Sequence, residues 1–235
     1  MGAPEQAVER VTMSGIASYI DHTLLKPDAS REDILAVCKE AVEHKFASVC
    51  TNPLWTALVH NTLKGSGVKT CSVIGFPFGA TPTDVKVYEA RGANLDGADE
   101  IDMVINIAAA RANDRNSLYT DIAAVADAVH AGGAALKVIL ETHFLTDEQK
   151  TLVCEVAAEA GADFVKTSTG FSGGGATVED IALMRKAVGP KLGVKASGGI
   201  RSLEDARAML EAGATRIGAS SSVAIVNGEQ ATSAY

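Results

Sequence analysis

Three lysines and one aspartate occupy similar places in four consecutive predicted strands. Asp102 lies in EIDMV, Lys137 in ALKVI, Lys166 in DFVKTS and Lys195 in GVKAS. A lysine in the middle of an apolar strand is costly, because lysine is almost never fully buried unless it is paired. One such strand is explained equally well by a solvated lysine at a sheet edge. Four consecutive strands that each carry a charged residue favour a functional cluster.

A group of amines in a dry site suits one kind of chemistry in particular. A free lysine has a pKa of about 10.4, and desolvation or neighbouring cations lower that value and leave the amine nucleophilic. Such an amine can form a Schiff base with a carbonyl compound, and a nearby carboxylate or second lysine can move protons during C–C cleavage. The alternative interpretation is a buried ion-pair network in which Asp102 neutralises one of the lysines.

The polar residues follow helix-ending glycines at a constant spacing. The segments 97–102, 161–166 and 213–218 read GADEID, GADFVK and GATRIG, and GGAALK (132–137) fits more loosely. The fifth residue after the glycine is Asp102, Lys166, Gly218 or Lys137. Equal offsets predict similar heights in a barrel, with Asp102 and Lys166 in one layer and Lys137 and Lys195 in the next.

Strand and helix patterns alternate along the whole chain, which predicts a single α/β domain over residues 1–235 with a (β/α)8 TIM-barrel fold. A doubly wound open sheet is the alternative, although it usually needs fewer strands. A short helix precedes the first strand, and a short helix and a polar tail follow the last. The predicted strands cover residues 19–23, 46–51, 68–76, 98–106, 135–142, 163–168, 192–197 and 215–219.

Glycines after the last two strands predict a phosphate site. Gly198 and Gly199 follow the seventh strand, and GASSS (218–222) follows the eighth. Barrel enzymes often bind phosphate through backbone N–H groups in these two loops. Simple turn formation is the alternative for each loop. The glycine-rich segment 171–177 lacks the Gly-Lys-Ser/Thr of a nucleotide-binding loop, and we interpret it as a mobile loop beside the sixth strand.

Composition excludes several classes of function. The chain has 235 residues with a formal net charge of −8, which argues against a broad surface for nucleic acid or anionic membrane. The four cysteines are scattered, and we find neither a signal-peptide core nor a membrane span, so we expect a cytoplasmic protein. The five histidines form no HxxxH or HxH pair. We therefore expect neither a metal nor a cofactor, and a metal site assembled from distant positions is the alternative.

The chain resembles the deoxyribose-phosphate aldolase family over essentially its whole length. The resemblance rests on IDHTLLKP (20–27), EIDMVIN (100–106), LKVILET (136–142), ADFVKTSTGF (162–171), GVKASGGIR (193–201) and IGASSS (217–222). It implies reversible, metal-independent cleavage of 2-deoxy-D-ribose 5-phosphate to D-glyceraldehyde 3-phosphate and acetaldehyde, in the breakdown of deoxyribonucleotides. It also implies small-molecule partners, the sugar phosphate and the aldehydes, and a homo-oligomer, either a dimer or a tetramer.

The resemblance implies roles for individual residues. Lys166 would form the Schiff base, Asp102 and Lys195 would assist proton transfer, and Lys137 would support them. Tyr235 would take part in proton exchange at the carbon beside the imine. Phe171 stands where some members of the family carry a lysine that could attract phosphate. The implied phosphate contacts are Gly170, Gly198, Gly199, Gly218, Ser220 and Ser221.

Two other functions remain open from the residues alone. A phosphate-binding isomerase or epimerase would depend on carboxylate, cysteine or histidine pairs and would not need clustered lysines. A non-catalytic regulator that binds sugar phosphate would show no turnover. Trapping with borohydride separates the aldolase from the isomerase, and a turnover assay separates it from the regulator.

Overall fold

The protein was analysed as a computed structural model that describes residues 13–231. Eight parallel strands form a closed barrel in chain order, and the eighth strand pairs with the first. This confirms the predicted TIM barrel. The strands are β1 Ile20–Leu24, β2 Ser48–Thr51, β3 Lys69–Ile74, β4 Glu100–Val104, β5 Ala135–Ile139, β6 Phe164–Lys166, β7 Gly193–Ser197 and β8 Arg216–Ala219.

Helices alternate with the strands and cover the outside of the barrel. None of the helices in residues 13–231 is long and apolar enough to cross a membrane. In that range they are α1 Met13–Ile16, α2 Arg31–His44, α3 Thr56–Leu63, α4 Thr83–Leu95, α5 Ile107–Arg111, α6 Arg115–Ala131, α7 Asp147–Glu159, α8 Val178–Val188, α9 Leu203–Glu211 and α10 Ser222–Asn227, with 3-10 turns at Ala17–Tyr19, Pro53–Trp55 and Thr142–Phe144.

Two helices start directly after residues of types that favour an N-cap. Ser30 and Thr146 cap α2 and α7 with reciprocal capping boxes, in which each side chain binds the third backbone N–H of its helix. A break at Ala112–Asp114 separates α5 from α6, and Asn113 in it has a left-handed φ of 55°. Local side-chain chemistry therefore fixes these boundaries.

Four strands, β3 to β6, are shorter than predicted at their carboxyl ends. β5 ends at Ile139 and β6 at Lys166, whereas the predicted strands reach residues 142 and 168. Beyond these points the chain leaves the ladder and forms the mouth of the barrel. Glu141, with a φ of 56°, turns the chain after β5. Residues that looked like strand in sequence thus line the mouth.

Two different cores hold the molecule together. Apolar side chains on the outer face of the strands pack against the helices, for example Val138 and Val165 with Val153. Inside the barrel the buried side chains are largely charged, and they include Asp21, Glu100 and Asp102, each with no exposed surface. The inside of the barrel is therefore the part of the molecule where chemistry is concentrated.

Candidate active site

Asp102 is the centre of the polar cluster inside the barrel. Its Oδ2 accepts hydrogen bonds from Lys166 Nζ at 2.7 Å and from Lys195 Nζ at 2.8 Å. Its Oδ1 accepts one from Lys137 Nζ at 2.9 Å. The structure thus brings together the four residues that the strand pattern singled out. Their roles in catalysis stay predictions.

The charge balance of the cluster differs from the sequence expectation of three ammonium groups and one carboxylate. Two further carboxylates lie in it: Asp21 Oδ2 is 2.5 Å from Lys195 Nζ, and Glu100 Oε2 is 2.5 Å from Lys137 Nζ. Arg216 pairs with both, at 2.7 Å from each. Four buried cations thus face three buried carboxylates, which leaves a net charge of about +1.

Sequence reasoning missed Asp21, Glu100 and Arg216, although a signal was present. Glu100 lies two residues before Asp102, and Arg216 lies two residues before Gly218. Because strand side chains alternate faces, residues two apart point the same way. A complete reading of the inward positions would have found Glu100 and Arg216.

Residues at the same distance in sequence from a helix-ending glycine do not all pair with one another across neighbouring strands. Lys137 is the register partner of Asp102, but Lys166 is the partner of Ile139 and Lys195. Phe164, two residues earlier on β6, stands beside Lys137, and its ring centroid is 5.9 Å from Lys137 Nζ and 5.2 Å from Arg216 Cζ. The lysines meet at Asp102 because their long side chains bridge this stagger.

Burial and charge compete at each group of the cluster. Burial alone would raise the pKa of Asp102, but Lys137, Lys166 and Lys195 hold that pKa well below its usual range. Burial likewise opposes the ionised form of Glu100, yet Lys137 and Arg216 lower its pKa to about 2. The carboxylates are therefore ionised at neutral pH.

Lys195 remains protonated at neutral pH. Burial lowers its pKa, but Asp102 and Asp21 outweigh that effect and raise the pKa above its ordinary value. Lys195 therefore contributes a fixed positive charge close to Lys166, since both amines bind the same oxygen of Asp102.

A cavity of about 360 Å³ opens at the carboxyl ends of the strands. Lys166 is 3% exposed and lines this cavity, whereas Lys137 and Lys195 are not among its lining residues. Gly170, Gly198, Gly199, Gly218 and Ser220 line it as well, but Ser221 does not. The structure thus places the candidate nucleophile in one cavity with five of the six predicted phosphate contacts.

Two glycines are required by close contacts in this region. A Cβ on Gly218 would lie 2.3 Å from Ser197 Oγ and 2.9 Å from Lys195 Cε. Gly218 thus leaves the space through which Lys195 reaches Asp102. A Cβ on Gly175 would lie 2.5 Å from the carbonyl oxygen of Gly198. The 171–177 loop therefore packs directly against the loop that follows β7.

Glu141 holds the loop that follows β6. Its buried carboxylate accepts hydrogen bonds from the backbone N–H and the hydroxyl of Thr169, and from the hydroxyl of Ser172. Gly170 and Phe171 lie between these anchors, and the Phe171 ring meets Phe76 edge-on at 5.4 Å. Sequence reasoning missed Glu141, which shows no periodic pattern.

Arg201 also lines the cavity. It adds a cation on the side of Gly198 and Gly199. The expectation for Tyr235 concerns a residue that lies outside the described range. The cavity thus combines the Lys166 amine with a polar, partly cationic wall, which suits a small phosphorylated carbonyl compound.

Comparison with known proteins identifies the family. A family model described as DeoC/LacD family aldolase matches residues 16–228. This chain belongs to that aldolase family. It is 60% identical over 217 residues to "Deoxyribose-phosphate aldolase" of Streptococcus gordonii, covering 92% of this chain and 98% of the relative. It is 57% identical over 220 residues to "Deoxyribose-phosphate aldolase 1" of Oceanobacillus iheyensis, covering 94% and 99%.

A solved structure shows the same aldolase architecture. The deoxyribose phosphate aldolase from Aeropyrum pernix, described as a unique tetrameric structure, superposes with a TM-score of 0.87 at 36% identity. The match covers 92% of this chain and 91% of the other. The resemblance read from the motifs is confirmed, and the chain is an aldolase, a lyase.

Proposed function

We propose that this aldolase reversibly cleaves 2-deoxy-D-ribose 5-phosphate to D-glyceraldehyde 3-phosphate and acetaldehyde through a Schiff base on Lys166. One observation carries the proposal. Of the three lysines around Asp102, Lys166 is the one that lines the cavity, and its Nζ lies 2.7 Å from the carboxylate that would relay its protons. The names of the relatives support the substrate.

The reaction begins with attack of the neutral Lys166 amine on the aldehyde carbon, C1, of the open-chain sugar. The carbinolamine loses water when a proton reaches its hydroxyl, and Lys195 and Asp102 form the relay that delivers it. Removal of the proton from the C3 hydroxyl then breaks the C2–C3 bond. Glyceraldehyde 3-phosphate leaves, and the electron pair stays on C2 as an enamine.

The second half of the reaction restores the enzyme. A proton added at C2 converts the enamine to the imine of acetaldehyde, and water hydrolyses that imine. The ammonium groups of Lys137 and Lys195 keep Asp102 ionised, so a proton that reaches it passes on to the next group of the relay. Every step uses groups of the chain and water, so the proposed reaction needs no cofactor.

The phosphate would lie against the glycine loops. Gly198 and Gly199 have no side chains, so the phosphate can approach their backbone N–H groups closely. Ser220 can donate a hydroxyl hydrogen bond, and Arg201 supplies a positive charge on the cavity wall. After KTSTG this chain has Phe171, where some family members have a lysine. Arg201 supplies a cation in the cavity instead. We therefore propose a phosphorylated substrate.

Borohydride trapping tests the nucleophile. Incubation with acetaldehyde and borohydride, followed by peptide mass mapping, should find one ethyl adduct, on Lys166. Lys166→Arg should lose nearly all turnover and remain folded, because arginine keeps the charge but cannot form the imine. Lys69→Arg is the matched control, since Lys69 binds Glu100 from a half-exposed position. A principal adduct on Lys137 or Lys195 would overturn the assignment.

We further propose that the chain is one domain, acts in the cytoplasm in deoxyribonucleotide breakdown, and assembles as a dimer or tetramer. The described elements all belong to one barrel, and the four cysteines are free and buried, as in a reducing compartment. The Aeropyrum pernix relative is described as tetrameric. Light scattering of the purified protein tests the assembly, and a monomer would contradict it.

A further inference from the structure

Two cysteines lie inside the barrel next to the lysine cluster, and the proposed reaction uses neither. Cys50 on β2 and Cys71 on β3 are register partners, and both are fully buried. Cys71 Sγ lies 3.3 Å from Asp102 Oδ1 and 3.4 Å from Lys137 Nζ. A pair of thiols therefore stands directly against the central carboxylate.

The three side chains have the geometry of a metal site. The two sulfur atoms and a carboxylate oxygen of Asp102 all lie within 4.8 Å of one another. Zinc binds thiolate at about 2.3 Å and carboxylate at about 2.0–2.2 Å in a tetrahedron, so small side-chain rotations would close the site.

The surroundings act on the two thiols in opposite directions. The hydrogen bond from Cys71 lowers the pKa of Cys50 and outweighs the effect of burial, and Lys195 and Lys166 lower it further. Burial and the hydrogen bond to Cys50 instead raise the pKa of Cys71, so Cys71 is the proton donor of the pair. A divalent ion that displaces both thiol protons adds no net charge to the cluster.

The partners of Asp102 can be redistributed when an ion binds. Oδ1 has one ammonium partner, Lys137, which keeps Glu100 at 2.5 Å. Oδ2 retains Lys166 and Lys195. An ion on Oδ1 therefore leaves every lysine of the cluster with a carboxylate partner.

We propose that Cys50, Cys71 and Asp102 form a binding site for a thiophilic divalent cation, Zn²⁺, and that zinc bound there inhibits the enzyme. The ion would hold Asp102 in place and withdraw electron density from the carboxylate that relays protons. The inhibition rests on the proposed function, whereas the binding does not. Because the site is buried behind Lys166, binding should be slow and inhibition should increase with incubation time.

Within residues 13–231, the other buried cysteines and carboxylates do not offer an equivalent site. Asp21, Cys71 and Glu100 also lie close together, but that group has one thiol, and both carboxylates are paired with Arg216. Cys38 and Cys154 lie on α2 and α7, outside the barrel. These two cysteines provide matched controls.

Direct binding is measured on the full chain with Cd²⁺, which reports thiolate ligands by a charge-transfer band in the ultraviolet. One equivalent should produce the band and Zn²⁺ should abolish it. Cys50→Ala should weaken Zn²⁺ binding by more than about 100-fold, since loss of an outer-shell partner alone costs about 10–100-fold. The double variant Cys38→Ala/Cys154→Ala should bind like the wild type. Cys50→Ser, with circular dichroism as a check on folding, serves if the alanine variant does not fold.

Inhibition is measured after preincubation with buffered Zn²⁺, and each variant is normalised to its own activity without zinc. The wild type should lose activity slowly and recover it on chelation, and the Cys50 variant should resist the same zinc concentration by the factor found for binding. A wild type without the thiolate band, or Cys50 variants that bind zinc as tightly as the wild type, overturn the site. Binding without inhibition overturns the inhibitory role alone.

Discussion

Replacing Lys195 by leucine should move the pH at which the enzyme forms its imine. Lys195 Nζ and Lys166 Nζ lie 2.8 and 2.7 Å from the same Asp102 oxygen, so they are at most about 5.5 Å apart. The raised pKa of Lys195 keeps it charged well above neutral pH. Its charge therefore acts on Lys166 throughout the range in which the assay is run.

The size of this effect follows from the distance. Two unit charges about 5.5 Å apart repel by roughly 3 kcal/mol at an effective dielectric constant of about 20. At about 1.4 kcal/mol per pH unit, that equals roughly two units. The midpoint of imine formation should thus rise by about two pH units in Lys195→Leu, because the repulsion that favours the neutral Lys166 amine is lost.

The variant is expected to fold. Without Lys195, Asp21 still pairs with Arg216 at 2.7 Å, and Asp102 still binds Lys137 and Lys166. No carboxylate of the cluster loses all of its cations. Leucine also fills much of the space of the lysine stem, so the cost of a cavity is small.

The assay is initial-rate trapping of acetaldehyde with cyanoborohydride across pH, read by the mass of the Lys166 peptide. Lys195→Arg is the matched control, because arginine keeps the charge. Its midpoint should stay near that of the wild type even if turnover falls. If the leucine variant keeps the wild-type midpoint, repulsion from Lys195 is not what activates Lys166, and desolvation must account for it instead.

Three further predictions concern other parts of the chain. Because the proposed reaction uses no metal, activity should survive exhaustive chelation; loss on treatment with EDTA that zinc restores would require a metal-enolate mechanism. The pKa of Glu100 is lowered to about 2 from 4.5, so its ionised form stabilises the fold above about pH 4.5. This contribution, about 3 kcal/mol, is lost as the pH falls towards 2. The free energy of unfolding of Glu100→Gln, measured in urea, should therefore depend less on pH in the acid range, and the same pH dependence as the wild type would contradict this. Tyr235→Phe should slow exchange of the acetaldehyde α-proton into D₂O, followed by NMR, much more than it slows imine trapping; equal exchange rates would make Tyr235 a bystander.

Much of the architecture could be predicted because it rests on local signals. Ser30, Thr146 and Ser202 mark helix starts through short-range hydrogen bonds, and the structure has all three as caps. The strand ends could not be predicted in the same way. Whether residues 140–142 belong to β5 depends on the neighbouring strand in the barrel, and β6 supplies a ladder of only three residues.

The cluster was predicted in part for a related reason. A lysine in an apolar strand stands out, so Lys137, Lys166 and Lys195 were found from the sequence. Asp21 does not stand out, because it lies in a short polar stretch, IDHT. It nevertheless pairs with Lys195, since closure of the barrel brings β1 near β7. Counter-charges from distant strands become visible once the sheet is closed and its register is known.

The arrangement of counter-charges also separates the three lysines. Among the ion pairs of the described residues, Lys137 has three carboxylate partners and Lys195 has two, whereas Lys166 has Asp102 alone. Lys166 is thus the lysine of the cluster with the fewest carboxylate partners. It is also the one at the cavity. The closed barrel thus distinguishes, by charge and by access, among three lysines that look equivalent in the sequence.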